Sequence, residues 1–300
     1  MISLRSDPEA AAERLDGHEL ALARIRRKSA RVLAVESEAA GSSNAGIVLG
    51  DERVLLFDTR VTPAYGDEFA RTVVAATGAR VEELIVVNSH FHGDHVFGNG
   101  AFRGATIVAT ASAQAAERRE WERQVEIFEE LRPHQAEDIR GGAKVTPTIG
   151  VTGPTRLDLG GVEAELEPMG PAHTEGDLVL TVPGEGVSFV ADLAFNGHWP
   201  SMWNADLRGW LRALRTLRRT AAPVVVPGHG PPGGPEMFDD VAASLRFLIE
   251  LEAEDGDEDA MIAASPFAAH LHPARVAEGR QRVREQMTPE EQRRLAAGTV

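Results

Sequence analysis

The chain has 300 residues, of which 43 % are hydrophobic, enough to bury the core of one large domain or two small ones. Its formal net charge of −15 disfavours nucleic acid and anionic membrane surfaces as partners, because both require a positively charged face. Cysteine is absent, so any transition metal must be held by imidazole and carboxylate groups rather than by thiolate.

The predicted elements begin with a helix. Asp7 followed by Pro8 is a helix start signal, and the stretch to about Ala30 is predicted to be a surface helix, making residues 1–30 an N-terminal helical extension. Short β-type runs separated by Gly and Asp turns follow at 32–35, 46–49 and 53–57. A helix is predicted over 62–78, and the apolar run 84–87 is typical of a strand buried on both faces.

The middle of the chain is predicted to hold a short helix near 96–101, a strand at 106–109 and a charged helical insertion at about 111–140. In that insertion, Trp121, Val125, Phe128 and Leu131 recur at helical spacing. The spacing favours a solvent-exposed helix with one packed stripe. The alternative is a cap over an active site.

The second half begins near residue 143 and repeats the order of strands followed by helices. The predicted strands are 145–151, 162–167, 178–182, 187–191 and 224–226, and the predicted helices are about 206–220 and 235–254. The tail from residue 255 is predicted to add one or two helices, so that residues 231–300 form a C-terminal helical region packed on the domain at 31–230. The repeated order indicates two similar α/β halves that face each other.

A cluster of metal-ligand residue types directly follows the strand at 84–87, in the segment Asn88-Ser89-His90-Phe91-His92-Gly93-Asp94-His95. In an extended backbone residues i and i+2 point the same way, so His90 and His92 can approach one metal together. Asp94 and His95 come just past a glycine, where the chain can turn to face a second metal. Four such side chains are costly to bury unpaired, so they require a metal or, alternatively, open water.

Three further residues of the same chemical kind lie at or just beyond the ends of probable strands. Asp192 ends the run 187–191, His229 follows 224–228, and His173 follows 167–172. Because sites in α/β proteins are usually built at strand ends, these residues join the candidate metal ligands.

The complete pattern resembles the metallo-β-lactamase superfamily over roughly residues 31–230. The resemblance implies an αββα sandwich with a metal cleft at one edge of its two sheets, and a buried Asp58 that orients a ligating imidazole. It also implies a dinuclear site in which one metal is held by His90, His92 and His173, the other by Asp94, His95 and His229, and Asp192 bridges the two, as in the hydroxyacylglutathione hydrolases.

The resemblance further implies an enzyme, a hydrolase of an ester, thioester or lactone. Two zinc ions, with manganese or iron as alternatives in either site, would share a water and supply hydroxide near neutral pH. Asp94 would be the catalytic residue that holds the hydroxide. True β-lactamases of this fold have Cys or Ser in place of Asp192, so antibiotic degradation is disfavoured, although an amide hydrolase of that type stays an alternative.

Two other classes of function stay open. One is an iron-dependent oxidoreductase on the same fold, such as a persulfide dioxygenase; those typically use one iron and a subset of the ligands, whereas this chain has the full set. The other is a non-catalytic binding module, but such members normally lose ligands.

The segment after Asp192 is predicted to shape the substrate pocket, through Asn196, His198, Trp199 and Trp203. The two tryptophans would form an apolar wall, or alternatively pack in the core. The remaining histidines are predicted to be solvated surface residues: His18, His134, His270 and His272.

The composition and the N-terminus together indicate the cellular setting. No run of about 18 apolar residues marks a membrane-spanning helix, and the N-terminus lacks the apolar core of a signal peptide, so a cytoplasmic location is expected. The expected partners are a small-molecule substrate and further copies of the same chain, with no nucleic acid and no membrane.

Overall fold

The computed structural model describes residues 7–38, 42–254 and 256–296. Within them two β-sheets face each other and helices cover both outer faces, which confirms the predicted αββα sandwich. The strands are β1 Glu19–Leu20, β2 Ala23–Arg27, β3 Val32–Ser37, β4 Ala45–Leu49, β5 Val54–Phe57, β6 Ile85–Val87, β7 Thr106–Thr110, β8 Ile149–Val151, β9 Thr155–Asp158, β10 Glu163–Pro168, β11 Leu178–Val182, β12 Val187–Phe195 and β13 Val224–His229. The helices are α1 Pro8–Leu15, α2 Pro63–Thr77, α3 Gly93–Val96, α4 Ala111–Leu131, α5 Ala136–Gly141, α6 Leu207–Thr220, α7 Met237–Ala253, α8 Glu258–Ala264, α9 Arg275–Gln286 and α10 Pro289–Ala296.

The strand order brings the ends of distant strands to one edge of the sandwich. The first sheet runs β1 to β8 in chain order, and β5 to β8 are parallel, with Phe57 paired to Val87 at the ends of β5 and β6. The second sheet runs β13-β12-β11-β10-β9, with β12 and β13 parallel. Because carboxyl ends of parallel strands share an edge, the residues that follow β5 and β6 are neighbours.

The two sheets are joined by an apolar core. The rings of Phe57 and Phe189 lie 5.6 Å apart, one from each sheet. Gly46 on β4 makes this close approach possible, since a β-carbon there would come within 2.5 Å of Cε1 of Phe189. Such tight interdigitation fixes the distance between the sheets, and therefore between the functional residues that each sheet carries.

Amphipathic helices cover the outer faces. Apolar side chains of α1 and α2 pack on the first sheet, and those of α6, α7 and α9 pack on the second. Thr62 caps the start of α2 by accepting a hydrogen bond from the amide of Tyr65, and Gly78 ends it at φ 69°, as the predicted helix over 62–78 required. No helix in the described ranges is both long and apolar enough to cross a membrane.

The prediction of a helix from Pro8 to about Ala30 is wrong beyond Leu15. Gly17 adopts φ 77°, and β1 and β2 then form an antiparallel pair that extends the first sheet, so the helical extension is limited to α1. Ala23 and Ile25 are buried alternately with exposed neighbours, a two-residue period that belongs to a strand. Residues 1–6 and 297–300 of the predicted terminal regions lie outside the described residues.

Three smaller predictions also differ from the structure. The strand expected over 145–151 begins only at Ile149, and β9 was not predicted. Both strands are short and half-exposed, so they lack a marked apolar pattern. The tail forms three helices, α8, α9 and α10, rather than one or two.

Candidate metal centre

Seven buried side chains converge between the two sheets, at the edge where β6 and β13 end. They fall into two groups, and within each group the potential ligand atoms lie within 4.8 Å of one another. The groups are His90, His92, His173 and Asp192, and Asp94, His95 and His229. Six of these residues divide as the resemblance implied, while Asp192, which it implied as a bridge, falls with His90, His92 and His173.

The segment after β6 directs four of these side chains. Residues 89–91 form a bend after the strand and α3 begins at Gly93, so Asp94 and His95 sit on a helical turn. A β-carbon at Gly93 would come within 2.3 Å of the ring of Phe97, so a glycine is required at this turn. The fold thereby presents His90 and His92 to one group, and Asp94 and His95 to the other.

The second sheet supplies the remaining ligands through irregular backbone. Ala191 adopts φ 44°, and the register of β12 against β13 shifts on both sides of it, which turns Asp192 toward the site. The side-chain amide of Asn44 donates to the carbonyls of Pro227 and Gly230, at 2.9 and 2.8 Å, and fixes the turn that carries His229.

The loop between β10 and β11 holds His173. Its backbone is fixed by Asp177, whose carboxyl accepts hydrogen bonds from the amide and the hydroxyl of Thr174. Burial raises the pKa of Asp177 to about 7, despite those hydrogen bonds. Nε2 of His173 lies 3.1 Å from Nδ1 of His92, so these are the ring nitrogens that point into the site.

Asp58, which follows β5 at φ 61°, contacts the site from behind. Its Oδ2 lies 2.8 Å from Nδ1 of His95, and Oδ1 accepts a hydrogen bond from the amide of Ser89. The hydroxyl of Ser89 donates to Asp58 and lies 2.9 Å from Nδ1 of His90. One buried carboxylate therefore orients one imidazole of each group, the role expected for it.

Buried charges in the two groups perturb each other strongly. Burial alone would raise the pKa of Asp192, but the imidazoles of His229 and His95 outweigh it and hold the pKa well below its usual value. Burial likewise favours a low pKa for His95, but the surrounding carboxylates, Asp94 first, raise that pKa well above its usual value. Burial lowers the pKa of His173 to about 3. Such a buried cluster of ligand-type groups is typical of a cation site.

The donor atoms fit bound cations. Nε2 of His90, Nε2 of His95 and Oδ1 of Asp192 are buried and have no hydrogen-bond partner in the described part of the chain. Buried polar atoms are rarely left in that state, and these point at each other across the site. Five imidazoles and two carboxylates suit zinc, manganese or iron. The clusters therefore fit a dinuclear metal site.

A cavity of about 660 Å³ opens above the metal centre. His92, Asp94, Asp192 and His229 line its floor. Its walls come from the end of α4 and the residues after it, from the segment after β12, and from the C-terminal region. The wall residues are Phe128, Leu131, Arg132, His134, Ser201, Trp203, Leu271, His272, Pro273, Ala274, Arg275 and Glu278.

The predicted helical insertion packs on the domain through its apolar stripe, and its end also reaches the cavity. Trp121 and Phe128 on α4 pack against Phe97, as the packed stripe required. The end of the same helix and the residues that follow it form one wall of the cavity.

Only part of the predicted substrate pocket is correct. Trp203 lines the cavity, with its ring 6.0 Å from that of His92. Trp199 does not, because it is 1 % exposed and packs against Phe247 and Phe267 in the core. Asn196 also faces away, and its amide donates to the carbonyl of Pro231.

The other histidines divide into three kinds. His198 sits behind the cavity wall, 8 % exposed, with Nδ1 2.8 Å from the carbonyl of Asn196. His272 was expected on the surface, but it is half-buried in the wall and stacks on His198, with ring centroids 5.5 Å apart. His270 is half-buried beside Trp199, whereas His18 and His134 are exposed, and His134 lies at the cavity rim.

Three charged wall residues were not among the predicted site residues: Arg132, Arg275 and Glu278. The alternative of a cap over an active site was a signal for Arg132, since it placed the insertion at about 111–140 near the site. The other two lie in the tail, whose docking depends on contacts distant in sequence and leaves no local pattern.

Comparison with known proteins identifies the family. The family model described as the metallo-beta-lactamase superfamily matches residues 39–229. The metallo-beta-lactamase type 2 of Bacteroides fragilis is 24 % identical over 213 residues, which cover 69 % of this chain and 77 % of that protein. The solved structure of a metallo-beta-lactamase from Pontibacter korlensis shares the fold, with a TM-score of 0.58 and 21 % identity over 74 % of this chain and 98 % of its own. Since the family model spans more than half of the residues, this chain belongs to the metallo-β-lactamase superfamily.

Proposed function

We propose that this protein is a metal-dependent hydrolase that cleaves an ester, thioester or lactone with the help of two divalent cations, zinc first among them. The observation that carries the proposal is that two adjoining groups of buried donors both contribute residues to the floor of one open cavity. When bound, such cations lower the pKa of a water molecule and polarise a carbonyl group.

The chain's own residues then divide the work. The seven clustered side chains would hold the cations, and Asp58 would keep His95 in the tautomer that leaves Nε2 free to ligate. Asp94 lines the cavity, and its Oδ2 is 3.2 Å from Nε2 of His229. It is placed to accept a hydrogen bond from the attacking water and so orient it toward the substrate carbonyl.

The walls would bind the rest of the substrate. Phe128 and Trp203 lie with ring centroids 6.4 Å apart and form an apolar surface beside His92. An acyl or leaving group packed there displaces water and holds the scissile bond over the metal centre.

Hydrolysis of a β-lactam amide is the second candidate, because the curated relative is described as a metallo-beta-lactamase. Asp192 disfavours this second candidate, since true β-lactamases of this fold have Cys or Ser in place of Asp192. An iron-dependent oxidation is less well supported, because the complete seven-donor set favours two cations over one.

A screen of the zinc-loaded protein against lactones, thioesters and β-lactams tests the proposal. We expect about two metal ions per chain, turnover of an ester-like substrate, loss of turnover on chelation, and recovery with zinc, manganese or cobalt. His92→Ala and Asp94→Ala should abolish turnover, whereas His18→Ala, which changes an exposed histidine, should not. Turnover retained in both site variants, or a single iron with oxygen uptake, would contradict the proposal.

A further inference from the structure

His92 presents one ring nitrogen to the metal centre and the other to a side chain outside it. Nδ1 faces the site, 3.1 Å from Nε2 of His173, whereas Nε2 points away and lies 2.9 Å from Oδ1 of Asn204. Asn204 comes 112 positions later in the chain, directly after Trp203 of the cavity wall and before the start of α6. The proposed hydrolysis does not use this asparagine.

The position of the ring proton decides whether His92 can hold a cation. A neutral imidazole carries one N–H, and the nitrogen that ligates must be the one without it. An oxygen acceptor 2.9 Å from Nε2 stabilises the tautomer with the proton on Nε2, because it accepts a hydrogen bond from that N–H. Asn204 therefore favours the form of His92 whose Nδ1 is free to ligate, even before a cation binds.

The amide of Asn204 holds its imidazole less firmly than a buried carboxylate would. An amide can also turn its NH₂ group toward Nε2, which would move the ring proton to Nδ1 and prevent ligation, whereas a carboxylate only accepts. In the same centre His95 is oriented by such a carboxylate, that of Asp58, which is 0 % exposed. Asn204 is exposed, so water competes for its oxygen. We therefore expect its effect at the lower end of the range for residues that orient ligands.

Asn204 contacts only one of the two donor groups. His92 belongs to the group that contains His173 and Asp192, and the other group is complete without it. Within the described ranges, the hydrogen bond of the Asn204 side chain is the one to His92. A change at Asn204 should accordingly alter the binding of one cation and leave the other unaffected.

We propose that Asn204 is a positioning residue for His92, which keeps Nδ1 of that imidazole free of its proton and so sets the affinity for one of the two cations. The inference rests on the proposed dinuclear centre and adds what tunes one of its two positions. Because the contact lies beside the cavity wall, it also places that control next to the substrate cavity.

Competition between the zinc-free protein and a chromophoric chelator tests the proposal, since it yields a dissociation constant for each of the two zinc ions. Asn204→Leu keeps the size of the side chain and removes the acceptor. It should weaken one step about 10-fold and change the other less than about 2-fold. Asn204→Asp, which can only accept, should restore the weakened step to the native affinity or better.

The matched control is Gln281→Leu. Gln281 is an exposed amide on α9 that donates to Glu285 on the same helix, so its loss removes a hydrogen bond of a similar kind away from any imidazole. Neither zinc-binding step should change in this variant.

The tautomer of His92 gives a readout that needs neither turnover nor metal. Long-range ¹H–¹⁵N NMR spectra of the zinc-free protein are recorded at about pH 8, above the ordinary pKa of histidine. The His92 signal is assigned by its loss in His92→Ala. We expect the proton on Nε2 in the native and Asn204→Asp proteins, and a mixture of both tautomers in Asn204→Leu, which a merely structural effect of the side chain would not produce.

Equal zinc affinities and an unchanged tautomer in Asn204→Leu would overturn the proposal. A similar loss in both steps would overturn the assignment to one cation, and an Asn204→Asp variant as weak as Asn204→Leu would overturn the role of the acceptor. Fewer than two zinc ions bound by the native protein would contradict the proposed dinuclear centre, while the NMR comparison would still decide whether Asn204 positions His92.

Discussion

Gly228 lies so close to Asp192 that a β-carbon on Gly228 would come within 1.9 Å of Oδ1 of that carboxylate. The same oxygen is 3.1 Å from Nε2 of His95 and 3.4 Å from Nε2 of His229. The glycine therefore provides the space that Asp192 needs to reach both groups of donors.

Gly228→Ala should accordingly displace Asp192 and weaken metal binding, with the sandwich still folded. We expect less than half of the metal content of the native protein after dialysis, measured by elemental analysis, with an unchanged circular dichroism spectrum. Gly184→Ala is the matched control, because a β-carbon there would meet nothing within 4 Å. Full metal content in Gly228→Ala would show that Asp192 is not a ligand.

Asp58→Asn tests the orientation of the ligating imidazoles. The amide can offer one acceptor oxygen where the carboxylate serves His95 and Ser89 with two, so one of those contacts becomes a clash of donors. Metal affinity should fall about 10- to 100-fold, as for other residues that orient ligands, measured by competition with a chromophoric chelator. Asp51→Asn, which changes an exposed carboxylate paired with Arg31, should leave the affinity unchanged.

The two tryptophans after β12 should respond oppositely to truncation. Trp203→Ala removes part of the cavity wall and should lower kcat/KM about 10-fold with little loss of stability. Trp199→Ala leaves a hole in the core and should lower the free energy of unfolding by about 3–5 kcal/mol, measured with urea. If Trp203→Ala lost stability and Trp199→Ala lost only activity, Trp203 would be the core residue and Trp199 the wall residue.

Glu117 on α4 should make stability depend on pH. It is 2 % exposed, its Oε1 has no hydrogen-bond partner among the described residues, and burial raises its pKa to about 8. The folded protein then holds a proton that the unfolded chain releases above about pH 4.5, so stability is lost as pH rises from there to about 8.

Glu117→Gln keeps the shape of the protonated side chain and should remove that loss. We expect the variant and the native protein to unfold at similar urea concentrations at pH 5, and the variant to be more stable by roughly 2–4 kcal/mol at pH 8.5. The exposed Glu130→Gln should show no such difference. An identical pH profile for Glu117→Gln would mean that Glu117 is charged in the folded state.

The candidate ligand residues could be predicted because their chemistry is local. His90, His92, Asp94 and His95 are close in sequence, and Asp192 and His229 follow the apolar runs of β12 and β13, whereas His173 lies in the loop after β10. The resemblance then divided six of them into two groups with Asp192 between, and the structure brings all seven close together. Asp58 was placed by the same reasoning, since it follows β5.

The walls of the cavity could not be predicted in the same way. Trp199 and Trp203 are equally apolar, and contacts distant in sequence, those of Trp199 with Phe247 and Phe267, decide which is buried. The wall formed by residues 271–278 depends on how the tail docks, which is a matter of long-range packing. The prediction of a helix where β1 and β2 lie was wrong for a related reason. Their composition is compatible with a helix, but pairing with β3 overrides it.

Each group of donors takes members from both sheets: His90, His92, Asp94 and His95 extend from the first, and His173, Asp192 and His229 from the second. A cation in either group would thus cross-link the two halves of the sandwich, much as a disulfide would in a chain that has no cysteine. Folding and metal supply then become linked quantities, and the free energy of unfolding should rise with the logarithm of the free metal concentration.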